Sequence, residues 1–165
     1  MKTILKKAAL AAALATASLS ANAAESHITV YTNVDLTLAL LKADGSALPD
    51  EVQLVHIPGQ GLSPHTERVR IFTNDTNEDV EVRLGAAPSL RHVLGAGPDV
   101  ALSASLNGRT LTATAQDFTA AELWPGASGD QSIAMDFTIA QATRAPILVA
   151  GDYQGMVSVI LNQKP

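Results

Sequence analysis

Residues 28 to 40, Ile-Thr-Val-Tyr-Thr-Asn-Val-Asp-Leu-Thr-Leu-Ala-Leu, constrain the fold more than any other stretch. Ile28, Val30, Val34, Leu36, Leu38 and Leu40 fall on every second position, with Thr32 the one polar member of the series. Thr29, Tyr31, Asn33, Asp35, Thr37 and Ala39 lie between them. A period of two sustained this long describes a strand with one dry face and one wet face. At about 3.3 Å per residue it would reach roughly 40 Å, far beyond the usual five or six residues. Such a strand needs a groove. Periodicity leaves two readings open: the first strand of a self-contained sandwich, or a strand given to a neighbour's core.

The residues before it read as a leader. Lys2, Lys6 and Lys7 form a positive region, Ala8 to Leu19 an apolar run, and Ala21-Asn22-Ala23 a small-residue cleavage site. That order describes a secretory signal peptide over residues 1–23, with an apolar run short for a membrane span. Removing it from the 165 residues leaves a mature chain of 142, a single-domain length. The mature chain keeps eight basic and sixteen acidic residues, a formal charge of −8. That balance argues against a nucleic-acid partner, which needs a basic surface. With no cysteine, cohesion must come from packing and strand pairing rather than disulfides.

After Asp44-Gly45 and Pro49, which mark a connector, the alternation returns in short runs. Residues 51–57 and 67–73 read as strands, separated by a loop over 58–64. Asp79 to Leu84 places Val80, Val82 and Leu84 inward, and with the polar turn at 74–77 it reads as the second arm of a hairpin with 67–73. Residues 85–98 read as loop, with a helical turn around Ser89 to Leu94. Residues 100–106 and 110–115 flank Asn107-Gly108, a strong short-range hairpin signal. A short helix is expected over 118–123 and a loop over 124–130, whose Trp124 should fold back over the core. Strands follow over 131–140, with Ile133, Met135, Phe137 and Ile139 on one face, and over 152–162. Eight strands and almost no helix predict an all-β, immunoglobulin-like antiparallel sandwich.

Chemistry is sparse. His27, His56, His65 and His92 are scattered without metal-ligand spacing or a companion cysteine. Asp75-Thr76-Asn77-Glu78-Asp79 begins like a calcium loop, but Val80 stands where glycine is required and Ala86 where glutamate is required. No nucleophile elbow, phosphate loop or dinucleotide fingerprint is present. No catalytic, cofactor or metal residue is assigned, and the expectation is a non-enzyme. Six aromatics, Tyr31, Phe72, Phe118, Trp124, Phe137 and Tyr153, are thin material for a carbohydrate cleft.

Several segments resemble a known family in collinear order. Glu25-Ser26-His27-Ile28-Thr29-Val30 with Val34-Asp35 is similar to the mature start of major pilins of the colonisation-factor-antigen family, which build alternate chaperone–usher (alpha) fimbriae, cable pili among them. Lys42-Ala43-Asp44-Gly45-Ser46-Ala47-Leu48-Pro49 resembles the family connector, and Thr73-Asn74-Asp75 a family turn. Gly151-Asp152-Tyr153-Gln154-Gly155-Met156-Val157-Ser158-Val159-Ile160-Leu161 resembles its closing strand. Leu36 stands where the family usually carries proline, which keeps the apolar alternation and restores an N–H.

The resemblance implies a sandwich missing one strand, completed by donor-strand exchange. Residues 24–42 would be the donor extension and 43–165 the pilin domain. The donor side chains would be Ile28, Val30, Thr32, Val34, Leu36 and Leu38, and Tyr153, Val157, Val159 and Leu161 would line the acceptor groove and chaperone edge. Burying five aliphatic donor side chains is worth on the order of 7–15 kcal/mol before ordering costs. Implied partners are identical subunits in a head-to-tail homopolymer, a periplasmic chaperone, an outer-membrane usher and a tip adhesin. The implied location is a fimbria reached through the periplasm. Two other classes stand beside this reading: a minor adhesin, and a self-contained periplasmic or secreted binding module.

Overall fold

The computed structural model describes residues 38–126, 129 and 131–164, all within the compact unit Asp35–Pro165. Expectations for residues 1–37, the leader and most of the donor run among them, lie outside the described residues.

Among the described residues the chain forms short antiparallel strands and one helical turn. In chain order they are β1 (Ala39–Lys42), β2 (His56–Ile57), β3 (Gly61–Leu62), β4 (His65–Phe72), β5 (Asp79–Leu84), β6 (Ser89–His92), β7 (Val100–Leu106), β8 (Arg109–Leu111), β9 (Gln116–Phe118), α1 (Ala120–Leu123), β10 (Met135–Gln141), β11 (Tyr153–Gly155) and β12 (Val159–Lys164). One sheet runs β1-β4-β10-β7-β6-β11, with β8 attached to β7; a second runs β12-β5-β9. The β2–β3 pair stands apart from both.

The inner faces carry the alternation read from the sequence. Val69 and Ile71 of β4, Val80, Val82 and Leu84 of β5, Leu106 of β7 and Met135 of β10 are sealed in one core with Phe118 and Leu123. Leu62, Val100 and Leu102 centre a second, smaller cluster. Trp124 is buried in the main core, as its loop position suggested. The Asn107-Gly108 hairpin is present, both residues at positive φ, 50° and 77°. That is the mirror-image turn whose twist suits two paired strands. Thr119-Ala120-Ala121-Glu122 forms a capping box: Thr119 Oγ1 accepts from the Glu122 N–H, and Glu122 Oε2 accepts from the Thr119 N–H.

Five expectations need correction. Residues 67–73 and 79–84 do not form a hairpin: β4 pairs with β1 and β10, whereas β5 pairs with β12 and β9. The polar turn between them carries the chain from one sheet to the other. Asp75 Oδ1 accepts the Asn77 N–H, and Gln163 Nε2 of the last strand donates to the Asp75 carbonyl. Residues 89–92 are extended rather than helical, because they pair with β11 and β7. Only His56 and Ile57 of 51–57 are strand, and they pair with Gly61-Leu62 inside the expected loop. Residues 152–162 are two strands, β11 in the large sheet and β12 in the small one, with the crossing at 156–158. Ile133 precedes β10 and is exposed, while Met135 and Phe137 are buried.

Candidate functional site

The two sheets each end on an unfinished edge. β12 pairs with β5 on one side, and among the described residues no strand pairs with its other side. β1 is the matching edge of the large sheet. Along the β5–β12 ladder, Val159 is directly opposite Leu84 and Leu161 opposite Val82. Residues opposite each other share a face. Leu84 and Val82 are only 2% and 0% exposed, whereas Val159 and Leu161 are half-buried. On the facing edge, Leu40 is opposite the sealed Ile71 and is likewise only half-buried. Among the described residues, side chains on the core face of both edges are therefore only partly covered.

Between these edges lies a groove of about 480 Å³. Val157, Val159 and Leu161 form one wall, Leu40 and Leu48 belong to the β1 side, and Phe137 and Ile139 of β10 also line it. Val52, Leu54 and Leu90 are shared with an adjoining cavity of about 840 Å³. Tyr153 lines that second cavity rather than the groove. Its hydroxyl donates to the Val149 carbonyl at 3.1 Å, and its ring meets His92 edge-on with centroids 5.0 Å apart.

Of the residues singled out from the sequence, the structure brings Val157, Val159 and Leu161 together on the groove wall. Leu38 packs half-buried against its own chain's main core, just before β1. Ile28, Val30, Thr32, Val34 and Leu36 lie outside the described residues. The sequence reading missed Leu48, Val52 and Leu54, which act from irregular connector, and His65 and Glu67. Those two share their parity with Val69 and Ile71, and that parity was the signal that could have found them.

Away from the groove, His92 and Glu122 are tied into the fold. His92 Nδ1 accepts the N–H groups of Leu94 and Ala96 at 3.1 and 3.4 Å, so its Nε2–H donates to the Ala150 carbonyl at 3.1 Å. The buried imidazole thus clasps two loops. Glu122 receives a 2.6 Å bond from Arg109 Nη2, which with the cap holds its carboxyl below the usual range. Among the described residues no cluster has the makings of a metal site, and no helix is long and apolar enough to cross a membrane.

An immunoglobulin-like sandwich open along one edge now has a family to set beside it. Residues 24–162 match the family of the CS1 type fimbrial major subunit. The chain belongs to that family. It is 37% identical over 167 residues to the CS1 fimbrial subunit of Escherichia coli, covering 96% of this chain and 98% of that one. It is 35% identical over 150 residues to the CFA/I fimbrial subunit of Escherichia coli O78:H11 (strain H10407 / ETEC), covering 88% of each. Among solved structures, the CooA pilin subunit from enterotoxigenic Escherichia coli superposes with a TM-score of 0.67 at 32% identity, over 77% of this chain and 87% of that one. The protein is a structural subunit of a cell-surface fimbria. Its fold is the immunoglobulin-like pilin sandwich expected from the strand pattern.

Proposed function

We propose that the protein polymerises by donor-strand exchange, its N-terminal segment completing the core of the next subunit in the fibre. The observation that carries this reading is the mismatch across the β5–β12 ladder, sealed on β5 and uncovered on β12. One added strand, apolar on alternate residues, supplies what the groove lacks. Residues 28–36 have that pattern. Backbone groups on the free side of β12 would hold the strand, and alternate side chains would fill the groove. The alternation runs from Ile28 to Leu40 with no glycine or proline to reverse the chain before β1. This favours an extension that reaches outward to a neighbour over one that folds back.

Because Ala39–Lys42 pairs with β4 of its own sheet, the donor segment is best drawn as residues 24–37 rather than 24–42. Leu38 then roots the extension. Burying Ile28, Val30, Val34 and Leu36 contributes about 6–12 kcal/mol before ordering costs, with ladder hydrogen bonds in addition. The interface is head-to-tail and does not close, so it generates a filament. Until then the open edge is an aggregation hazard, a role for a periplasmic chaperone before hand-over at an outer-membrane usher. Residues 1–23 direct export, and a tip adhesin completes the fibre.

The test is Val30→Asp and Leu36→Asp in the full chain, expressed with its export partners. The variants should accumulate in the periplasm while fibres disappear from electron micrographs. Normal fibres from both variants would sink the assignment.

A further inference from the structure

The inward face of β4 is not apolar throughout. His65 and Glu67 alternate with the exposed Thr66 and Arg68, and share their side of the strand with the sealed Val69 and Ile71. Across the ladder Glu67 is opposite Phe137 and His65 opposite Ile139. Both polar side chains line the groove, 33% and 26% exposed for His65 and Glu67. They do not satisfy one another. His65 Nε2 is 3.7 Å from Glu67 Oε2, too long for a hydrogen bond, and no hydrogen-bond partner for this buried nitrogen exists among the described residues. A strand laid in the groove would cover the pair and make any remaining polar deficit costly.

On either side of the pair the groove carries leucines, with Asp50 of the connector the one other charged residue in its lining. Leu40 lies toward one end, across from Ile71, and Leu102 lies beyond His65, across from Gln141. The donor sequence has the same layout: Ile28 and Val30, then Thr32, then Val34 and Leu36. A strand of period two can slide by two residues without turning its dry face outward. An unbroken aliphatic series would therefore bind in several registers of similar energy. One polar residue in an apolar seam removes that degeneracy, as a single asparagine does in a coiled coil.

We infer that Thr32 of the neighbouring subunit seats over the His65–Glu67 pair and fixes the register of the donor strand. The proposal rests on the donor-strand reading given above. A threonine hydroxyl both donates and accepts. It would donate to the Glu67 carboxylate and, with a turn of the imidazole that brings its buried nitrogen to the groove, accept from His65 Nε2–H. A two-residue slip would put Val30 or Val34 there and seal imidazole and carboxylate against a methyl group.

The deciding experiment is cryo-electron microscopy of fibres of the unaltered full-length protein, with a dissociation assay on variants. Expected is Thr32 Oγ1 within hydrogen-bonding reach of His65 or Glu67. Val30 or Val34 at that place would overturn the register and leave donor exchange standing. Residues 28–36 found outside the neighbour's groove would overturn the reading beneath it. Thr32→Val fibres should dissociate in hot detergent about tenfold faster, the scale of one buried polar group left unpaired. Adding His65→Leu and Glu67→Leu to Thr32→Val should restore the slow rate. Failure of that rescue in variants that still assemble would count against the pairing; should they not assemble, the map alone decides.

Discussion

Leu161 and Val82 face each other across one ladder and point into one core, yet Val82 is fully sealed while Leu161 is half-open. Truncating each should therefore have a different signature. Leu84→Ala, on the sealed strand beside Val82, should cost about 2–5 kcal/mol in the isolated subunit. Leu161→Ala should cost roughly 1 kcal/mol or less there, and clearly more once a neighbour covers it. Urea unfolding of the subunit, compared with dissociation of the fibre, measures both. Equal costs of Leu161→Ala in the two states would refute an unfilled groove.

Ser132 is a buried polar group with a defined task. Its Oγ accepts the Ile71 N–H at 2.8 Å and donates to the Ile133 carbonyl at 2.8 Å, and its own carbonyl accepts from Arg70 Nη1 at 2.6 Å. Ser132→Ala strands the Ile71 N–H inside the core. The expected loss is about 1–3 kcal/mol, read as a lower urea midpoint with an unchanged slope.

Gly155 lies so close to β6 that a Cβ would collide with the Ser89 carbonyl oxygen. Gly155→Ala should push β11 off β6 and lower the thermal midpoint, since the obstacle is backbone and cannot rotate away. Gly126→Ala adds a Cβ that meets nothing within 4 Å, so any loss there reports the strain of its positive φ rather than a collision.

Glu122 and Lys164, both exposed, each add a small pH dependence to stability. The Arg109 bond holds the Glu122 carboxyl below its ordinary value. Its stabilisation is complete above the unfolded-state value and is lost as pH falls through the lower folded-state one. Lys164 is raised by its 3.0 Å bond to Asp117. Its contribution is complete below the ordinary lysine value and fades as pH climbs through the higher one. Glu122→Gln should make the acid limb of a melting-temperature profile slightly shallower and leave the alkaline limb alone.

Single elements were legible wherever the local signal was sufficient. Asp79–Leu84, the Asn107-Gly108 turn and the short helix before Trp124 all follow from neighbours in sequence. Pairing was less legible. A polar turn after Phe72 serves equally to close a hairpin or to cross between sheets, and β5's partner β12 lies some eighty residues on. The parity of Tyr153 with Val157, Val159 and Leu161 was real but crossed a change of sheet, so Tyr153 joined the neighbouring cavity. Glu67 and His65 were obscured by their polarity, which reads as outward-facing until the ladder to Phe137 and Ile139 is known.

The pairing of β1 with β4 bears on how a fibre of this kind would carry load. If the proposed extension links subunits, tension would pass from it into Ala39–Lys42, which runs antiparallel along Phe72–Val69. Pulled lengthwise, that ladder is sheared, so its bonds resist together instead of peeling one after another. Without a single cysteine to cross-link it, the mechanical strength of such a filament would come from the direction in which its hydrogen bonds are pulled.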